Sequence, residues 1–277
     1  MKKYFFMAVA GMLALSSCFN DNDPIIENNG PHAMTFTAGY ADVTNTRASM
    51  DFETKKVSFD ANDEISIISA NNNNTKFTTT AGGASATFTG TANNDSKFYA
   101  VYPYTDGLTL EGSTIHGVTI PTTQVNSEWK SYDYGEKWGW DPKAPIALAV
   151  ADASQALQFK NLCAILKVDI KYNPWTTDSY NITVSAAQPL AGTFDLNTAT
   201  KALSVTSGSN SVSTGGDGNV HDYYARHIYL AIAPGTYNNF TLSVFRNGSH
   251  ECAGKNKTSV TFEAGKIYNL GSYGFDD

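Results

Sequence analysis

Lys97-Phe98-Tyr99-Ala100-Val101-Tyr102-Pro103 is a short, nearly continuous apolar run closed by a proline. It is too brief for an ordinary buried helix and predicts a central strand buried on both faces, stopped where proline removes a ladder donor. Toward the N-terminus, residues 84–89 and 34–40 alternate apolar and polar with period two, and residues 57–59 and 65–68 form two more β-like runs split by Asn62-Asp63. The asparagine run 71–74 reads as a loop by turn chemistry, leading into residues 76–80. Toward the C-terminus, residues 108–120 read as a hairpin around Glu111-Gly112, and a long irregular segment, 121–145, carries Trp129, Trp138 and Trp140. Strand-like runs resume at 146–150, 162–172, 181–185, 192–196, 202–205, 227–233, 240–246, 258–262 and 266–270, and the Gly/Ser-rich stretch 206–219 reads as a flexible loop. Turn clusters every ~8–12 residues are the mark of sandwiches or barrels, so the fold class is all-β.

Composition agrees. Charged residues make up 16% of the chain while Tyr and Phe number 15 each, a strand-and-turn composition with no long amphipathic helix. Length suits two cores, with an N-terminal sandwich over 34–150 and a C-terminal one over 151–277. A loose internal echo supports two related units. Tyr99-Ala100-Val101-Tyr102-Pro103 matches Tyr229-Leu230-Ala231-Ile232-Ala233-Pro234 in character, and Ala86-Thr87-Phe88-Thr89-Gly90 matches Ala191-Gly192-Thr193-Phe194-Asp195.

The N-terminus reads as an export address. Lys2 and Lys3 precede an apolar stretch, 4–15, too short to serve as a stable membrane span, and Leu15-Ser16-Ser17-Cys18 resembles the bacterial lipobox. Residues 1–17 are then a lipoprotein signal peptide and Cys18 the lipidation site, several acyl chains on one residue being enough for stable anchoring. An ordinary cleaved signal with a chance cysteine is the alternative. Residues 18–33 read as a lipidated flexible tether. Its start, Phe19-Asn20-Asp21-Asn22-Asp23-Pro24, resembles the acidic surface-export tag of Bacteroidetes lipoproteins, or else is a plain solvated linker. The net charge of -7 becomes more negative still when Lys2 and Lys3 are lost, which argues against nucleic acid or an anionic membrane surface as partner. Cys163 and Cys252 remain after Cys18. They are a candidate disulfide in an oxidising compartment, although Cys163, inside the run Leu162-Cys163-Ala164-Ile165-Leu166, reads equally well as a buried thiol.

No catalytic constellation is present: there is no Gly-x-Ser-x-Gly elbow, no His-Glu-x-x-His, no phosphate loop and no Cys-x-x-Cys. The expectation is a non-enzyme without cofactor or metal. His221 and His227, on one strand, would lie about 20 Å apart at ~3.3 Å per residue, too far to share a metal. Trp129, Tyr132, Tyr134, Trp138 and Trp140 stand among carboxylates and lysines. They are either a sugar-stacking platform for a host or bacterial glycan or protein ligand, or rings that plug the seam between the two units.

Several of these segments, taken in order, resemble a known family. Thr46-Arg47-Ala48, then Val57-Ser58-Phe59-Asp60-Ala61-Asn62-Asp63-Glu64-Ile65-Ser66-Ile67, Phe88-Thr89-Gly90, Phe98-Tyr99-Ala100-Val101-Tyr102-Pro103-Tyr104 and Ala264-Gly265-Lys266-Ile267-Tyr268-Asn269-Leu270 look like the landmarks of fimbrillin-family lipoproteins of Bacteroidales. The resemblance implies two tandem transthyretin-like β-sandwich domains. It implies a subunit of a type V pilus, or a related surface protein, at the outer membrane, the cell surface or the fimbrium. It further implies other pilus subunits as partners through β-strand exchange, in which a protease cuts between Arg47 and Ala48, the first strand leaves, and a strand of another subunit fills the groove. Only residues 271–277 follow Asn269-Leu270, so the expectation is a tip, anchor or minor component that polymerises weakly or not at all. The alternative is a standalone glycan- or host-binding surface lipoprotein.

Overall fold

The computed structural model of the chain describes residues 30–41, 49–51, 56–125, 130–131, 137–139, 141, 143–152, 156–171, 180–215, 226–246 and 250–273. Among the described residues all regular structure is strand, as the period-two runs predict. Seven strands close into a ring in the order β1 (His32–Tyr40), β14 (Leu157–Asn161), β13 (Ala147–Ala151), β7 (Phe98–Tyr102), β4 (Glu64–Ser69), β5 (Asn72–Thr79) and β6 (Ser85–Ala92). A small hairpin of β2 (Ser49–Asp51) and β3 (Lys56–Ser58) lies outside it. One further sheet runs β10 (Thr123–Val125), β19 (Ser211–Gly215), β16 (Tyr180–Ser185), β21 (Gly235–Arg246), β22 (His250–Phe262). Another runs β11 (Lys130–Ser131), β12 (Lys137–Gly139), β20 (Arg226–Ile232), β15 (Ala164–Ile170), β23 (Ile267–Tyr273). The last is β18 (Leu203–Ser209), β17 (Ala191–Asn197), β9 (Thr114–Ile120), β8 (Thr109–Glu111), in which β8 and β9 form the expected hairpin.

The strand from which the sequence reading began is central. β7 lies between β13 and β4, and its residues alternate between two cores. Phe98, Ala100 and Tyr102 point into the ring with Phe36, Phe59, Phe77, Phe88 and Phe159, whereas Val101 joins the larger core of Ile115, Val118, Leu166, Val168, Phe194 and Leu230. β13 does the same, sending Ala147, Ala149 and Ala151 inward and Leu148 outward. Period-two alternation normally gives one wet face, and here the second core supplies the other dry one.

Strand pairing crosses the boundary expected after residue 150. β14 belongs to the ring, paired with β1 and β13, while β9 pairs with β17 and β10 with β19 in the later sheets. β14 shows clean alternation of buried Leu157, Phe159 and Asn161 with exposed Gln158 and Lys160, a signal that the sequence reading passed over.

Two loop expectations are corrected. Asn72, Asn73 and Asn74 begin β5 instead of lying in a loop, because Asn72 is buried and spends its amide locally. Its Nδ2 donates to Ser69 Oγ at 2.7 Å and to the Asn93 carbonyl at 2.9 Å, and Asn93 Nδ2 returns a bond to the Asn71 carbonyl at 2.8 Å. Much of the stretch 206–219 is likewise strand, in β18 and β19 on either side of Asn210; residues 216–219 lie outside the described residues. β18 is an exposed edge strand, and small residues suit it because Gly208 packs against Pro189, where a Cβ would lie 2.5 Å from Pro189 Cβ.

Candidate strand-exchange groove

β1, His32-Ala33-Met34-Thr35-Phe36-Thr37-Ala38-Gly39-Tyr40, carries the alternation that the sequence predicts, with Phe36 and Ala38 buried, Met34 and Tyr40 half-buried, and Ala33, Thr35 and Thr37 exposed. Its inward row is clasped by rings. Phe36 meets Phe77 at 5.5 Å and Phe98 edge-on at 5.2 Å, and Tyr40 stacks on Phe59 at 5.2 Å and lies 5.8 Å from Phe159. Burial of each large side chain stabilises by about 1.5–3 kcal/mol, with aromatic pair geometry adding a little more.

Both edges of β1 are engaged. It runs antiparallel to β6 from His32↔Ala92 to Gly39↔Ser85, and parallel to β14 only at Ala38, Gly39 and Tyr40. The ladder ends where Ala41 N–H donates to the Phe159 carbonyl at 3.0 Å. Removing β1 would open two strand edges, β6 and β14, above a floor of buried phenylalanines, the combination of unpaired main chain and alternating pockets that receives a foreign strand. Fit along the β6 edge is tight at Gly90, opposite Met34. A Cβ there would sit 2.6 Å from the Phe77 ring and 2.8 Å from the Lys76 carbonyl oxygen, and Phe77 is itself fully buried. Gly90→Ala is therefore expected to destabilise by about 1–3 kcal/mol, seen as a lowered urea midpoint with an unchanged denaturant slope.

Arg47 and Ala48 fall in residues 42–48, between β1 and β2, outside the described residues, as does Cys18. The other arginines, Arg226 and Arg246, sit in paired strands, Arg226 opposite Ile170 and Arg246 opposite Tyr180. A protease needs extended, unpaired backbone, so the bond after Arg226, held within β20, is protected by the fold, whereas the bond after Arg246 leads into residues 247–249, outside the described residues.

The remaining sequence candidates are dispersed. Trp129, Tyr132, Tyr134 and Trp140 lie outside the described residues; Trp138 is described in its backbone alone, on β12 opposite Lys130 and His227. Cys163 is buried, with its Sγ accepting from Ile146 N–H at 3.3 Å. Cys252 is described by its backbone in β22 and not by its side chain. His221 lies outside the described residues, whereas the His227 Nδ1 bonds the Asp169 carboxylate, which Lys167 also approaches at 3.1 Å. Among the described residues no group of three or more His, Cys, Asp or Glu is placed to hold a metal ion.

Burial alone would raise the Asp169 carboxyl, but hydrogen bonds and charge from His227 and Lys167 outweigh it and hold the group below its ordinary value of 3.8. A carboxylate whose folded pKa is depressed contributes stability that is present above the unfolded value and lost as pH falls through the folded one. Asp169→Asn should therefore lower the melting temperature at neutral pH, and the gap from the parent chain should close as the pH falls below 3.8. A gap that persists at lower pH would contradict this.

Gln124 is a residue that the sequence reading did not single out. It is fully buried, its Nε2 donates to the Ala231 carbonyl at 2.6 Å, and its Oε1 accepts from Ala231 N–H at 2.8 Å. β12 pairs with β20 only as far as Ile228, so the Gln124 amide stands in for a neighbouring strand at Ala231. A lone Gln next to Pro121-Thr122-Thr123 gives no such signal in sequence.

No family model matches the chain, and no curated protein matches it. Solved structures do. One described as a cell adhesion candidate from Bacteroides uniformis is 17% identical, covers 86% of this chain and 92% of its own, and superposes with a TM-score of 0.52. A similarly described protein from Bacteroides ovatus is 15% identical over 86% and 91%, with a TM-score of 0.49, and a fimbrial protein from Bacteroides vulgatus is 12% identical over 90% of each chain, with a TM-score of 0.32. At 17% identity and a TM-score of 0.52, the likeness to the Bacteroides uniformis structure is one of fold. In that respect the resemblance to fimbrillin-family surface proteins is borne out: the chain has an all-β fold similar, along most of its length, to that Bacteroides protein.

Proposed function

We propose that the chain is a non-enzymatic, lipid-anchored surface subunit of fimbrial type that serves adhesion and joins other subunits by strand exchange. The observation that carries this reading is β1, an N-terminal strand whose inward row lines the ring core and whose one covalent link to the next ring strand, β4, runs through residues 42–48 and the outlying β2–β3 hairpin. Cutting that stretch between Arg47 and Ala48 leaves β1 held by hydrogen bonds and packing alone, so an incoming strand can replace it without further covalent change. Cys18 anchors the N-terminal piece at the outer membrane in this scheme, and the body is the part that changes partners.

Limited digestion of the full chain with an Arg-specific protease, followed by intact mass and unheated gel analysis with candidate partner subunits, tests it. The expected result is one cut, after Arg47, and new heat-sensitive complexes that survive detergent when unheated. A chain that is cut there and gains no partner, or that resists cutting, would sink the strand-exchange reading.

A further inference from the structure

A second feature lies away from β1. A cleft of about 510 Å³ opens where the ring meets the start of β10, between the turn ahead of β4, the segment after β7, the end of β9 and Lys143. Its size is that of a small-molecule site. Among the described residues, none of its lining comes from β1. Tyr104, with Pro103 and Pro121, offers flat apolar surface, while Asn62, Glu64 and Lys143 offer donors and acceptors around it. Hydroxyl-rich rings have that same duality, with C–H faces that lie on aromatic and proline rings and hydroxyls that donate and accept at once.

The cleft is also built in advance of any ligand. Asp63 Oδ2 accepts from Asp60 N–H at 2.9 Å, Glu64 pairs with Lys76 at 3.0 Å, and Lys76 sits over the Tyr104 ring at 4.4 Å. The Tyr104 hydroxyl donates to Asp106 at 3.2 Å. Asn62 holds a left-handed backbone, φ 70°, fixed by its N–H on the Thr79 carbonyl at 2.8 Å. Side chains already ordered cost a ligand little on binding. Charge narrows the class. Asp63 and Glu64 outnumber Lys143 in the lining, and Asp106 and Lys76, both beside Tyr104, offset each other, which disfavours an anionic sugar. We propose that this cleft binds an uncharged saccharide of one or two rings, at a site independent of strand exchange.

The test is saturation-transfer NMR and calorimetric titration of the full chain with methyl β-galactoside, methyl α-mannoside, methyl α-fucoside, N-acetylglucosamine and lactose. Sialyllactose serves as the acidic counterpart, and a synthetic peptide of residues 32–40 as a competing class of occupant. Expected is saturable binding of at least one neutral sugar with a Kd of about 1 mM or tighter. Tyr104→Ala and Glu64→Gln should weaken it by about tenfold or more, and so should Asn62→Gly, which removes the amide while keeping a residue at ease with that φ. Melting temperatures should stay unchanged, so that a variant that merely unfolds is recognised and the other two decide. Absence of binding across the neutral panel, binding indifferent to all three substitutions, or preference for sialyllactose or the peptide would each overturn the proposal. None of these outcomes depends on cutting at Arg47, so failure here leaves the strand-exchange reading to its own experiment.

Discussion

Phe36→Ala should lower the stability of the chain by about 3–5 kcal/mol, the usual result of emptying a phenylalanine-sized volume inside a packed core. Phe36 is 2% exposed and stands midway along β1, with Phe77 and Phe98 on either side, rings that cannot collapse inward because both are themselves fully buried within the ladder of β5 and β7. Equilibrium urea unfolding measures the loss, and Thr35→Ala, on the exposed face of the same strand, is the control and should stay within about 0.5 kcal/mol. The effect has a kinetic side. With the Phe36 ring gone, β1 keeps its backbone pairs with β6 but loses the side chain that fills the middle of the groove, so a chain cut after Arg47 should release the piece that carries β1 faster than the parent does. A stability loss under about 1 kcal/mol would mean that β1 is not an integral wall of the ring.

Gln124→Leu should be nearly as damaging, about 2–5 kcal/mol, although it exchanges one buried side chain for an apolar one of similar size. The reason lies in Ala231, whose N–H and carbonyl both face the Gln124 amide. Each buried backbone group left without a partner costs about 1–3 kcal/mol, which outweighs any gain from the added apolar contact. Gln124→Glu should also destabilise, since it removes the donor and turns a carboxylate toward the Ala231 carbonyl. Thr123→Ala, exposed and one residue away, should leave the urea midpoint in place. If Gln124→Leu proved neutral, the amide would not be closing the edge of β20.

These two residues show where a sequence can and cannot be read. Phe36 was legible, because alternation along residues 34–40 says which side chains point inward before any partner strand is known. Central strands were legible for a related reason. Continuous apolar runs ended by Pro103 and Pro234 became β7 and β20, each flanked on both sides in its own sheet. Gln124 was not legible, since its role depends on β20 lying beside it, more than a hundred residues later, and no local pattern encodes that meeting. The asparagine run misled because turn propensity counts what Asn does alone, whereas Asn72 acts with Ser69 and Asn93. Chain order also concealed β14, whose alternation is plain but whose place in the ring comes from pairing with a strand far ahead of it. Of the candidate groove, the inward row could be read from sequence, while Arg47 lies outside the described residues. The double pairing of β1, antiparallel to β6 and parallel to β14, could not, because register between distant strands is set by tertiary packing.

The wall shared by the ring and the larger core has a thermal consequence. β7 and β13 place alternate residues in both cores, Ala100 and Ala149 in one, Val101 and Leu148 in the other. Neither core can lose its packing without stripping one face of the strands that bound its neighbour. Heating should therefore give a single calorimetric peak whose van't Hoff enthalpy equals the total heat absorbed, with no plateau at which one half has melted and the other has not.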